Sequence, residues 1–279
     1  MKTIILKGVI FLSFFILTAT SFMGCQKMER PPMNIIPEDT ARLNGPLQLF
    51  LSFEDSPVDS IHDAVGATTG VSYVEGIRGK ALKGSTTAKV HYTNAGKLAS
   101  MTSFTVAFWM NTEKHANGGQ AIFTLPNTSD FWGNLFAIVE SNGSDTDNTM
   151  LFKFNFGGNW VEFNGNNGLN RLPNMYGKWK HLAFSYDETT SKFSVYIDGE
   201  KMDLPVAVTD RKNSSGDPLG KLNFKDASQF VIGAYQQHIG ISGDAQDWMA
   251  HYTGLLDQFR IYTVALNETE VMALYTNKN

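Results

Sequence analysis

The sequence predicts an all-β fold, a sandwich or jelly roll closed by one short C-terminal helix; the resemblance described below narrows it to a two-sheet antiparallel jelly-roll sandwich. Three observations carry this. Short runs rich in Thr, Val, Phe and Tyr recur between Gly/Asn/Asp/Ser clusters, which is the pattern of strands separated by turns. The intervening segments, such as "EKHANGGQ" and "ESNGSDTDNT", are long and polar, as loops of sandwiches and jelly rolls are. The chain of 279 residues is 42% hydrophobic and only 18% charged, with 25 Gly and 20 Phe. That suffices for one large core, and helix formers do not dominate it.

The elements follow in order. "LQLFLSFED" places Leu47, Leu49, Leu51, Phe53 and Asp55 on one face of a first strand, because side chains alternate along a strand. "SFTVAFWMN" (103–111) is apolar almost throughout and is expected to be buried on both faces. Further strands are expected at 121–125, 134–140, 150–156, 160–163, 180–187, 192–202 and 228–235. The last strand is "GLLDQFRIY", from Gly254 to Tyr262. Its alternation puts Asp257 in one phase with Leu255, Phe259 and Ile261. Burying that carboxylate alone costs several kcal/mol, so a partner is required. Two hairpin turns are legible at Asp198-Gly199 and Gly157-Gly158; a type I′ turn needs positive φ at both central residues. The closing helix starts at Asn267, with Glu270 in the reciprocal capping position and Leu266 and Val271 placed as a staple.

The N-terminus has its own composition. Lys2 and Lys7 precede "GVIFLSFFILTATSFMG", a run too short for a good transmembrane helix and suited to a secretory signal. It ends at Cys25, the only cysteine. "FMGC" resembles a bacterial lipoprotein box, although Met23 stands where a small residue is commoner. The expected organisation is a signal over 1–24, a lipidated Cys25 with an extended tether over 25–46, and one domain over 47–279. The implied location is the cell envelope, anchored by lipid to the outer membrane. After removal of 1–24, 21 basic and 27 acidic residues remain, a net charge of −6. No basic patch of the nucleic-acid-binding kind is present.

"LSFED" with "DAVG", "GIRGKAL", "SFTVAFWM", "KWKHLAFSYDETTSKFSVYIDGE", "FVIGAY" and "GLLDQFRIYTVALNETEVMALY" occur in that order. Together they resemble the laminin G-like branch (LamG type 3) of the concanavalin A-like lectin/glucanase superfamily. The resemblance spans Leu47 to Tyr275; residues 112–178 depart from the shorter family pattern. It implies a jelly roll whose first and last strands are neighbours. It also implies a structural calcium ion, with Asp55, Asp257 and Asp63 as candidate ligands, since Ca²⁺ collects six to eight oxygens. The alternative for Asp257 is hydrogen bonding to loop amides or pairing with a lysine or arginine.

The residues point away from catalysis. Glucanases on this fold carry a closely spaced E-x-D-x-x-E run that aims its acids into one cleft, and no such run occurs here. Glu140, Asp145, Asp147 and Glu162 are scattered, and the six histidines lack metal-ligand spacing. His181, Trp109 and Trp179 occupy core-like or family-matched positions and are expected to be structural. Three tryptophans stand among polar residues: Trp132, Trp160 and Trp248. A sugar is recognised by an aromatic plate with amides and carboxylates around it. The candidate ligand site is therefore Trp160 with Asn159 and Asn164, supplemented by Trp132 and Trp248. The expected function is non-catalytic glycan recognition, with an oligo- or polysaccharide as partner. The alternatives are a protein-binding or adhesion module and an atypical glycoside hydrolase.

Overall fold

The computed structural model describes residues 43–116, 118–141, 148–166, 168–241 and 245–277. The signal, Cys25 and most of the tether lie outside them. Among the described residues no helix is long and apolar enough to cross a membrane.

Along the chain the strands are β1 (47–51), β2 (67–69), β3 (72–75), β4 (80–83), β5 (89–92), β6 (104–111), β7 (119–125), β8 (135–140) and β9 (149–150). They continue as β10 (152–156), β11 (159–163), β12 (172–173), β13 (180–187), β14 (192–197), β15 (200–201), β16 (230–232), β17 (249–251) and β18 (255–262). One sheet runs β15-β14-β13-β6-β18-β4-β3, with β1 also on β18. The other runs β11-β10-β8-β7-β16-β5-β2, with β17 on β7. All these pairings are antiparallel except β17 with β7. The jelly-roll sandwich is therefore what the strand pattern predicts.

The inner faces supply an aromatic core. Phe152, Phe154 and Phe156 alternate along β10 with Lys153 and Asn155, and only the phenylalanines join the core. Phe154 of the second sheet stacks on Phe184 of the first at 4.2 Å between centroids. Phe123 meets Phe108 at 6.1 Å and Phe259 at 5.2 Å, both edge to face. Offset and edge-to-face rings contribute beyond the area they bury. On the outer face of the first sheet, small side chains at Ala107 and Ala183 admit a helix, α1 (Glu268–Thr276), whose Val271 is buried against them. Tyr275 stacks on Trp109 at 5.4 Å. His181 lies beneath the same helix; burial drives its imidazole down to about 4, in keeping with a structural role.

Both predicted hairpins form. Asp198 and Gly199 have φ of 53° and 82°, and Ile197 pairs directly with Glu200. Gly157 and Gly158 have φ of 56° and 83° between paired Phe156 and Asn159. Asn267 and Glu270 make both capping-box bonds. The first strand is shorter than expected. It ends at Leu51, and positive φ at Phe53 and Asp55 turns the chain away, so Asp55 is not in a strand phase. The strands between 67 and 92 are three or four residues long, too short for even the alternation of β5 to mark a strand in the sequence.

Candidate functional site

Two features of the fold bear on function: a carboxylate clamp at the centre of one sheet and an aromatic patch on the other. The clamp explains Asp257. The first and last strands do pair, Leu47 with Tyr262 and Leu51 with Phe259. One edge of β18 lies along β6 for its whole length, but the register breaks between Asp257 and Arg260. Gln258 sits there with φ 50°, the geometry of a β-bulge. The second edge is shared: β4 pairs with Leu255 and Leu256, β1 with the residues after the bulge. The extra residue inverts the phase. Leu256, Phe259 and Ile261 enter the core, while Asp257 lies in register with Trp109 on the outer side. Simple alternation therefore misplaced Asp257 relative to Phe259 and Ile261.

Asp257 is fully buried. Its Oδ2 accepts hydrogen bonds from the backbone N–H of Ile77 at 2.9 Å and Arg78 at 3.0 Å. These amides belong to the β3–β4 turn, which is tied again by Lys80 N–H donating to Glu54 at 3.0 Å. Gly76 is required beside the clamp, since a Cβ there would lie 2.5 Å from Asp257 Oδ2. Burial pushes the carboxyl up to about 6, with the turn amides pulling the other way.

The calcium expectation does not fit these surroundings. The groups aimed at Asp257 Oδ2 are N–H donors, whereas calcium needs oxygens, and Oδ1 is buried with no hydrogen-bond partner. Asp55 and Asp63 are exposed, both with positive φ. Among the described residues no three His, Cys, Asp or Glu side chains are grouped to hold a metal. The amide-acceptor alternative is the one observed. The buried acid missing from the sequence reading is Asp59. Its Oδ1 accepts from Phe50 N–H and Ile61 N–H, and its Oδ2 pairs with His62 Nδ1 at 2.8 Å. It sits in a loop with no strand alternation to betray it.

The aromatic patch lies on the outer face of the second sheet. Trp160 on β11, Asn155 on β10 and Phe136 on β8 stand in one cross-strand row. Trp132, from the β7–β8 loop, meets Trp160 edge to face, with centroids 4.7 Å apart and planes at 89°. Trp248, ahead of β17, lies 6.2 Å from Trp132 at 45°. The three tryptophans singled out in the sequence thus converge. Trp132 and Trp248 remain 39% and 38% exposed, which is unusual for side chains of this size.

The loop carrying Trp132 is held rigidly. Tyr235 Oη donates to Phe131 O at 3.0 Å and accepts from Gly133 N–H at 2.9 Å. Gln236 bonds both Asn127 N–H and Asn127 O. Asn134 Nδ2 donates to the carbonyls of Pro126 and Lys225, both at 2.7 Å. A ligand meeting such a loop has little ordering left to impose.

Beside the rings lies a shallow depression of about 270 Å³, lined by Trp132, Trp160, Asn223, Lys225, Asp130 and neighbouring backbone. Asn223 and Lys225 are exposed at its edge. Asn159 and Asn164 do not serve it as expected. Asn159 Nδ2 donates to Phe156 O and its Oδ1 accepts from Arg211; Asn164 Oδ1 caps Asn166 N–H at 2.9 Å. Both amides hold turns. Asp145 and Asp147 lie outside the described residues.

In the next cross-strand row Glu162 lies opposite Lys153, which also reaches Glu140 two residues beyond the row's β8 member, Ile138; the three form an ion-paired triad. Lys153 Nζ is 2.9 Å from Glu140 and 3.4 Å from Glu162. The two carboxylates favour the ammonium and lift the Lys153 pKa, against a burial effect of opposite sign.

A two-sheet antiparallel jelly-roll sandwich is the architecture that the sequence resemblance implies. The chain belongs to the laminin G type 3 family of the concanavalin A-like lectin/glucanases superfamily, whose sequence profile matches residues 83–272. A rat protein, the sushi, von Willebrand factor type A, EGF and pentraxin domain-containing protein 1, is 25% identical over 182 residues. The match covers 64% of this chain and only 4% of that protein's length. Among solved structures, domain 4 of the extracellular GH43 arabinanase AbnA from Geobacillus stearothermophilus, in complex with arabinotriose, has a TM-score of 0.54 at 22% identity. It covers 82% of this chain and 98% of that domain. A botulinum neurotoxin type C structure, from work on cell entry through two ganglioside molecules, has a TM-score of 0.55 at 17% identity, covering 86% and 53%. At these identities the likeness is one of fold.

Proposed function

We propose that the protein recognises carbohydrate without transforming it, and that the Trp132–Trp160–Trp248 patch is the recognition surface. The observation that carries this is the convergence of three tryptophans from separate elements onto one outer face. Sugar rings present C–H faces to such plates, and hydroxyls at their rims seek amides and charged groups. Asn223 and Lys225 stand at the edge with polar ends free to serve them. The bound arabinotriose of the AbnA domain supports the same reading, as does the ganglioside interaction of the neurotoxin.

A glycosidase pair needs one carboxyl protonated as the acid. Glu140 and Glu162 are both paired with the Lys153 ammonium, and Asp130 at the rim accepts the Trp132 N–H, so the carboxylates around the patch are engaged as acceptors. This supports binding over hydrolysis.

Affinity electrophoresis through gels containing arabinan, xylan, galactan, β-glucan or mannan tests the proposal. Retardation by at least one gel is expected, with at least about tenfold weaker binding in Trp160→Ala and Trp132→Ala, equivalent to 1.4 kcal/mol. Trp160→Ala also loses packing on Phe136 and should melt lower than the wild type, so binding is compared at a temperature where both variants are fully folded. No retardation in any gel, with capture of a protein partner through the same face, refutes it in favour of an adhesion module.

A further inference from the structure

We infer that the ligand is an internal stretch of a turning polysaccharide chain, seated from the tryptophan patch down onto the Glu140–Lys153–Glu162 triad. This rests on the glycan reading of that face. Three observations carry it.

The first is the attitude of the plates. Trp132 and Trp160 stand at 89°, and Trp132 and Trp248 at 45°. A flat, ribbon-like polymer keeps its ring planes parallel from unit to unit and would be met by coplanar rings. Plates set across one another fit a chain whose successive units rotate. The second is openness. The depression beside the rings is shallow, and Trp132 and Trp248 are both more than a third exposed. A lectin for terminal sugars encloses one ring; an open shelf lets a chain pass on both sides.

The third is the continuation of the surface. Trp160 and Glu162 are two residues apart on β11, so both side chains point outward and their Cα atoms are separated by roughly 7 Å. Lys153 lies directly opposite Glu162, and Asn155 directly opposite Trp160. The aromatic row is thus followed by one holding Glu162 and Lys153, with Glu140 reaching Lys153 from further along β8. The triad offers one ammonium donor and carboxylate acceptors, all partly exposed. Charge-assisted hydrogen bonds of this kind are about twice as strong as neutral ones. They are suited to the hydroxyls of a unit next to the one stacked on Trp160.

Binding is measured on an array of linear ladders of two to eight units: α-1,5-arabinan, β-1,3-glucan, α-1,4-glucan, β-1,4-glucan and β-1,4-mannan. Pull-down on crystalline cellulose and chitin is run alongside. The expected result is binding within the first three, turning ladders, rising about tenfold or more from the disaccharide to the pentasaccharide. Lys153→Met should flatten that rise. Because this variant leaves two glutamates facing each other, Glu140→Gln/Lys153→Met/Glu162→Gln is the second variant, with no charge left to repel. Full-strength binding at the disaccharide, retention on crystalline cellulose or chitin, or an unchanged rise in both variants would each overturn the inference while leaving glycan binding intact. Silence on every ladder, with tryptophan variants indistinguishable from wild type, would sink the underlying reading as well.

Discussion

Replacing Asp257 by Asn should leave the protein at neutral pH as stable as the wild type, or more stable. The carboxyl is fully buried, and burial lifts its pKa from the ordinary 3.8 to about 6. Each pH unit of such a difference is worth 1.36 kcal/mol, so ionised Asp257 costs the folded state about 3 kcal/mol above pH 6. The sign follows from proton linkage. Between pH 4 and 6 the folded state holds more protons than the unfolded one, so this group's contribution falls as pH rises through that window and is flat on either side. Asn keeps an oxygen for the Ile77 and Arg78 amides and does not ionise. Leu supplies no acceptor, and each buried amide left without one costs about 1–3 kcal/mol.

The assay is urea unfolding of wild type, Asp257→Asn and Asp257→Leu at half-unit steps from pH 4 to 8. The difference between the wild-type and Asn curves is the quantity to read. The half-buried pair His238 and His251, 4.0 Å apart, has its pKa values lowered by burial, His238 to about 4, and its contribution rises with pH over the same range. Subtraction removes that term from both curves. If Asp257→Asn is as damaged as Asp257→Leu at pH 7, or if the difference does not change with pH, the account of the clamp is wrong. A melting temperature that falls with a chelator in wild type but not in Asp257→Asn would place a cation there after all.

Asn267→Ala removes one capping-box partner of α1 and should cost about 1 kcal/mol, read as a lower urea midpoint with an unchanged slope. Gly84→Ala sets a Cβ 2.0 Å from Tyr252 O, beside the Gly84 N–H bond to Gly254 O; overpacking of this kind should destabilise by roughly 1–3 kcal/mol, and a neutral result would show the backbone free to shift. Cys25→Ala should move the protein from the membrane to the soluble fraction of fractionated cells; unchanged membrane association would refute lipidation at Cys25.

The architecture was readable because its signals are local. The two hairpin turns and the capping box each depend on adjacent residues, and each forms as expected. The tryptophans were readable as misfits, large rings among polar neighbours. What joins them was not, since Trp132, Trp160 and Trp248 meet only through the pairing of β7 with β8 and β17, and of β10 with β8 and β11. The flanking amides misled for the opposite reason. Asn159 and Asn164 are polar because turns need them, a demand that looks the same in sequence as a demand from a ligand. Asp257 failed on periodicity. One bulged residue, Gln258, shifts the count, and nothing in "LLDQFRIY" marks where a strand changes its partner.

The placement of β18 also governs how the molecule comes into being. β18, which follows all the other strands of this sheet in the chain, lies in its interior, between β6 on one edge and β1 and β4 on the other. Until residues 255–262 emerge, three strands carry bare edges and the core lacks Leu256, Phe259 and Ile261. Pairings of such long sequence separation form slowly, and open edges recruit other chains. The nascent protein therefore cannot complete this sheet in stages. It stays unfinished until residues 255–262 have been made, and a chain truncated before β18 would lack the strand that joins β1 to the rest of the sheet.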